Sequence, residues 1–174
     1  MSNFATPLEE VIYHNVIKNN KTGGPALTVG PMQLLWRALG ENTGYTFSIF
    51  EMEVVPGMGI PLHKHPFAEF FYVLEGTLSI QHWNSQGAAE WNSYEVGESA
   101  LVPPNAPHSF FNKSERPCRV LSVSTYHHER MMKDAVHPDG KKDFLPGQLT
   151  LADFHKLTKS MERNQTFLVA DQAQ

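Results

Sequence analysis

The chain has 174 residues with 14 Lys+Arg, 18 Asp+Glu and one cysteine, Cys118, which fits a single domain with modest terminal extensions and excludes an intrachain disulfide or a thiolate metal cluster. A formal net charge of −4, with no basic run longer than Lys141-Lys142, lacks the electrostatic footprint of a nucleic-acid binder. No apolar stretch approaches the roughly 18 residues of a membrane span, and residues 1–10 lack a basic and apolar leader, so the expected setting is cytoplasmic, without nucleic acid or membrane as partner.

In chain order, residues 1–24 read as an N-terminal extension, 25–125 as a strand-rich domain and 126–174 as a helical extension. Strands are predicted over 26–29, 32–39, 45–55, 62–65, 69–74, 77–83, 99–102, 108–112 and 119–124, with turn-forming residues at 40–44, 75–76 and 84–87. Short strands at this spacing argue for an all-β sandwich or barrel. The run Phe70-Phe71-Tyr72-Val73-Leu74 is apolar on both faces, which suits a strand between a barrel interior and an outer layer or partner subunit. A helix is predicted over 126–136, with Glu129 and Lys133 at i,i+4, stopped by His137-Pro138-Asp139-Gly140. Thr150 to Asp153 has the form of a capping box with Leu149 and Phe154 at staple positions. Leu151, Phe154, Leu157 and Met161 then mark the apolar face of a second helix, expected to cover the outside of the barrel, and 166–169 an edge strand.

Four residues carry the chemistry. His63 and His65 lie two apart in a segment bounded by Pro61 and Pro66; prolines disfavour helix there, and in an extended chain the two imidazoles leave one face with Cα atoms about 6.6–7 Å apart. Glu69 opens the aromatic strand, and His108 begins another after Pro103-Pro104-Asn105-Ala106-Pro107. Three imidazoles and a carboxylate suit one divalent transition-metal ion (Fe, Mn, Ni, Co, Cu or Zn), whereas oxygen alone would favour Mg or Ca. Phe71 shares strand parity with Glu69, and Phe110 with His108, which nominates both as apolar walls of a substrate pocket. His82 shares parity with Leu78 and Ile80, as a core histidine or a pocket residue. Adjacent residues on a helix point in different directions, so His127-His128 reads as a solvated or helix-end pair. Cys118 reads as an inert thiol, and His14, His137 and His155 have no companion at ligand spacing.

The pattern Gly57-x5-His63-x-His65-x3-Glu69-x6-Gly76 resembles the first cupin motif at every defining position. Gly97-x5-Pro103-x-Asn105-x2-His108-x3-Asn112 resembles the second, with Asn105 standing where the family usually has glycine; asparagine tolerates the left-handed backbone better than other non-glycine residues. The resemblance implies an antiparallel jelly-roll barrel holding one metal ion near its interior, with short C-terminal helices packed outside, and a homodimer. The strand at 45–51, the run 71–76 and the terminal helix are also similar to single-domain quercetin 2,3-dioxygenase-type cupins. That likeness implies a metal-dependent dioxygenase acting on an aromatic or enolisable small molecule, with His63, His65 and His108 holding the ion and Glu69 as ligand and proton acceptor. The same ligands would serve a metal-dependent isomerase or lyase, and a cupin can also be a non-enzymatic binding module.

Overall fold

The computed structural model describes residues 16–21, 24–29, 32–135 and 151–169. Its elements are β1 (Ala26–Val29), β2 (Met32–Ala38), a 3-10 turn (Gly40–Thr43), β3 (Phe47–Val54), β4 (Gly59–Lys64), β5 (Glu69–Glu75), β6 (Leu78–Trp83), β7 (Ala89–Tyr94), β8 (Ser99–Val102), β9 (His108–Phe111), β10 (Cys118–Thr125), α1 (Tyr126–Ala135), α2 (Leu151–Arg163) and β11 (Phe167–Leu168). The strands form two antiparallel sheets, ordered β1-β2-β3-β10-β5-β8 and β11-β4-β9-β6-β7. This is the expected all-β jelly-roll barrel.

Alternation builds the interior. Along β10 the buried side is Cys118, Val120, Ser122 and Ser124, so its inward face changes from apolar to polar along the strand. Ser124 pairs with Ser48 of β3 on one side and Glu69 of β5 on the other, which makes a polar row across three central strands. Behind it, Leu34, Trp36, Phe50, Phe71, Val73 and Leu78 are buried, with the Trp36 and Phe50 rings edge-on at 5.1 Å. Each such side chain contributes about 1.5–3 kcal/mol by leaving water.

In the second sheet, a Cβ on Gly59 would stand 1.9 Å from the Phe110 carbonyl oxygen. Only glycine lets β4 approach β9 this closely. The β4–β9 register then shifts between Ile60 and His63 and places His63 directly opposite His108.

The helices lie outside the strands, but not as an inert cover. Met131 and Met132 of α1 and Met161 of α2 join the buried core, with Leu157 packed against it, and the Ser160 hydroxyl donates to the Met131 carbonyl at 2.9 Å. The proposed cap and staple lie outside the described residues: Leu149 and Thr150 altogether, Asp153 and Phe154 in their side chains, as does the Leu151 side chain. The stop at 137–140 also lies outside them. β7 was not expected from sequence; β3 begins at Phe47 rather than at 45, after Tyr45 with φ 60°.

Candidate metal centre

His63 sits near the end of β4, His65 just beyond it, Glu69 at the start of β5 and His108 at the start of β9. All four are buried. The His63 and His108 ring centroids lie 4.2 Å apart, His65 and His108 5.0 Å, and His63 and His65 5.6 Å. One nitrogen from each of the three imidazoles lies within 4.8 Å of the others. The turn before His108 is tied in by Asn105, whose φ is 64° and whose N–H donates to the His65 carbonyl at 2.7 Å.

The backbone selects the tautomer. Nδ1 of His63 faces the Pro61 carbonyl at 2.9 Å, Nδ1 of His65 the Phe67 carbonyl at 2.7 Å, and Nδ1 of His108 the Ala106 carbonyl at 3.0 Å. A carbonyl only accepts, so each Nδ1 carries the proton and each Nε2 of the neutral ring presents a lone pair. Nε2 of His65 and of His108 are fully buried with no hydrogen-bond partner. Glu69 Oε2 lies 3.5 Å from the first and 3.8 Å from the second. Two lone-pair nitrogens facing a carboxylate oxygen, with no proton between them, repel one another unless a cation sits among them. These residues therefore fit a divalent transition metal, and His63, His65 and His108 could hold it. Glu69 borders two of the three imidazoles and is not part of the mutually close set.

The other carboxylate oxygen is occupied. Ser122 donates from Oγ to Glu69 Oε1 at 3.0 Å, and Nδ1 of His128 lies 3.5 Å from the same atom. Burial alone would raise the Glu69 carboxyl, but the surrounding His128, His108 and His65 outweigh it and hold the group well below the usual carboxylate range. Burial, with His108 nearby, pushes the His63 imidazole down to about 3; burial likewise brings His128 to about 4, against the opposing pull of Glu69.

The site opens onto an interior cavity of about 40 Å³ lined by His63, Glu69, Phe110 and His128 together with Met32, Phe50, Met52, Ile60, Met131, Met132, Leu157, Met161 and Thr166. Phe110 is among the lining residues. Phe71 does not line the cavity; it packs behind Phe110 with ring centroids 5.5 Å apart. His82 also falls outside it: half-exposed at the far part of β6, its Nδ1 lies 3.2 Å from the Glu90 carbonyl on β7. Its parity with Leu78 and Ile80 holds, but the buried stretch of β6 ends before it.

The reading of His127-His128 as a solvated or helix-end pair is corrected for one member. His127 is exposed, whereas His128 is 5% exposed and reaches the cavity from α1. Its helical neighbours at i+3 and i+4, Met131 and Met132, mark the same inward face, a signal present in the sequence. Ser122 and Ser124 were missed as well, although β10 alternation puts both inside. Cys118 is buried and its thiol is pushed up by burial to about 11, so it stays protonated.

Residues 50–124 match the Cupin domain family. Among solved structures, the polyketide cyclase RemF from Streptomyces resistomycificus is 24% identical with a TM-score of 0.54, over 64% of this chain and 80% of that one. A cupin-like protein from Thermotoga maritima is 19% identical with a TM-score of 0.49, over 66% and 83%. The oxalate decarboxylase of Lactobacillus farciminis, solved as a formate complex, is 22% identical with a TM-score of 0.49, over 58% of this chain. This chain spans only 30% of that decarboxylase. A search of curated proteins finds no match. Residues 50–124, which hold both motifs and most of the two-sheet barrel, therefore carry a cupin domain.

Proposed function

We propose that this protein is a metal-dependent oxygenase for a small, largely apolar molecule bearing an acidic hydroxyl or an enolisable carbonyl. The observation that carries this reading is the set of three imidazoles whose Nδ1 protons are engaged by backbone carbonyls, leaving Nε2 lone pairs beside a methionine- and aromatic-lined cavity. A redox-active ion held by His63, His65 and His108, with Glu69 as fourth ligand, would polarise the substrate oxygen and allow O₂ to react beside it. Glu69, a carboxylate at neutral pH, is the proton acceptor nearest that point. Phe110 and the methionines keep bulk water away, which strengthens every charge interaction within.

The cavity size constrains the substrate. About 40 Å³ exceeds the roughly 10–15 Å³ that one water needs by this measure, which leaves room for a few waters and not for a drug-sized molecule. Anything of flavonol size enters only if Met131, Met132 and Met161 swing aside, which their unbranched side chains permit; small substrates need less displacement. A non-oxidative isomerase or lyase is the second reading, favoured by one feature: the proton acceptor, with His128 beside it, is in place whether or not O₂ reacts. A homodimer would cover Phe47, Tyr72 and Leu101, which stand exposed on the outward face of the six-stranded sheet.

The test is oxygen-electrode screening of metal-loaded protein against enolisable compounds, flavonols included, with anaerobic assays in parallel. Substrate loss matched by O₂ uptake supports the oxygenase. Equal turnover without oxygen overturns it in favour of the isomerase or lyase.

A further inference from the structure

Glu69 has two oxygens and the protein treats them differently. Oε2 faces Nε2 of His65 and His108. Oε1 faces away from them, towards the Ser122 hydroxyl at 3.0 Å and His128 Nδ1 at 3.5 Å. His128 Nδ1 lies also 2.8 Å from Ser124 Oγ, one helical turn back at the β10–α1 junction. Ser124 Oγ is the hydrogen-bond partner and Glu69 Oε1 the next neighbour; a carboxylate oxygen only accepts, so a proton on Nδ1 is the tautomer that suits both. The His128 ring is wedged in place, with centroids 5.2 Å from Phe67 and 6.2 Å from Phe50.

From this geometry we infer that Ser122 and His128 are positioning residues: together they clamp Oε1 and so present Glu69 to the metal through Oε2 alone. The inference rests on the metal centre proposed above and concerns its fourth ligand. Without the clamp the carboxylate is free to turn about its last bond, to engage the ion through both oxygens or to leave it. His128 comes from α1, beyond residues 50–124 of the domain match. The helix that walls the cavity thereby also sets the coordination of the ion. Groups that orient metal ligands in this way typically contribute 10–100-fold to metal affinity.

The experiment uses the full chain, stripped with chelator and titrated with Co²⁺, reading the dissociation constant by competition and the visible ligand-field bands. Ser122→Ala removes one donor. His128→Phe keeps the ring volume and removes both nitrogens, and His128→Asn restores a donor near the position of Nδ1. Val96→Ala, at an exposed residue outside the cavity lining, is the control. The inference predicts 10–100-fold weaker Co²⁺ binding and shifted bands for Ser122→Ala and His128→Phe, return to within about 3-fold of wild type in His128→Asn, and no change in the control. Wild-type affinity and bands in Ser122→Ala and His128→Phe overturn it while leaving the metal centre standing; should His128→Phe not fold, Ser122→Ala and His128→Asn decide. A wild-type chain that takes up no Co²⁺ overturns both.

Discussion

Asn105 holds a φ of 64° while its N–H donates to the carbonyl of His65, so a strained turn is tied directly to a candidate ligand. The left-handed region costs most non-glycine residues about 1–2 kcal/mol, and a β-branched side chain fares worst. Asn105→Val is expected to lower stability by about 1–2 kcal/mol or more in urea unfolding, and Asn105→Gly to change it by less than about 0.5 kcal/mol; indistinguishable midpoints for the two variants would contradict the argument. At this scale the sequence was informative wherever spacing alone decides direction. His63 and His65 share a face because the chain is extended between prolines, and His108 follows from its motif. Parity was not sufficient for His82, since it tells which face a side chain takes but not where along the strand the interior ends. His128 was obscured by its neighbour His127, although Met131 and Met132 placed it on the apolar face of α1.

Glu129 shows how an element is fixed by something its local sequence undervalues. Read as an i,i+4 partner of Lys133, it is worth only about 0.3–0.5 kcal/mol. In the structure it is 1% exposed, accepts from the Gly40 N–H at 2.6 Å and from Lys133 Nζ at 2.5 Å, and so joins α1 to the turn after β2. Glu129→Ala leaves that N–H unpaired and is expected to cost about 1–3 kcal/mol, against less than about 1 kcal/mol for Lys133→Ala. Equal losses in denaturant melts would show that the burial of Glu129 contributes nothing beyond the surface pair. β7 was illegible for the opposite reason: Ala89 to Tyr94 is exposed along most of its length, with no alternation to read, and is a strand because its backbone pairs with β6. The amphipathic faces of α1 and α2 could be read, but the packing surface each meets is set by β-strands distant in sequence.

For the molecule as a whole, an all-β barrel or sandwich follows from punctuated short strands and the motif spacing, while the order of the strands in two sheets and the closing of the cavity by α1 and α2 emerge only in three dimensions. That enclosure has a consequence for stability. Burial brings His63 down to about 3 and His128 to about 4, from an ordinary 6.5. The unfolded chain therefore binds more protons than the folded one between those values, so stability is greatest above pH 6.5 and is lost as pH falls towards 4 and 3. Glu69, held well below the ordinary carboxylate range, offsets none of this loss above that range. For metal-free protein, the thermal midpoint is expected to drop on the order of 10 °C between pH 7 and pH 4.5; a constant midpoint across that interval would show the two imidazoles to be freely solvated. The central claim is that His63, His65 and His108 converge on one cation, and elemental analysis after incubation with Fe, Mn, Co, Ni, Cu and Zn in turn tests it most directly. The account predicts about one ion per wild-type chain and less than about a tenth of that in the His65→Ala/His108→Ala double variant. Equal metal content in the two proteins, or none in the wild type with any of the six ions, would contradict it.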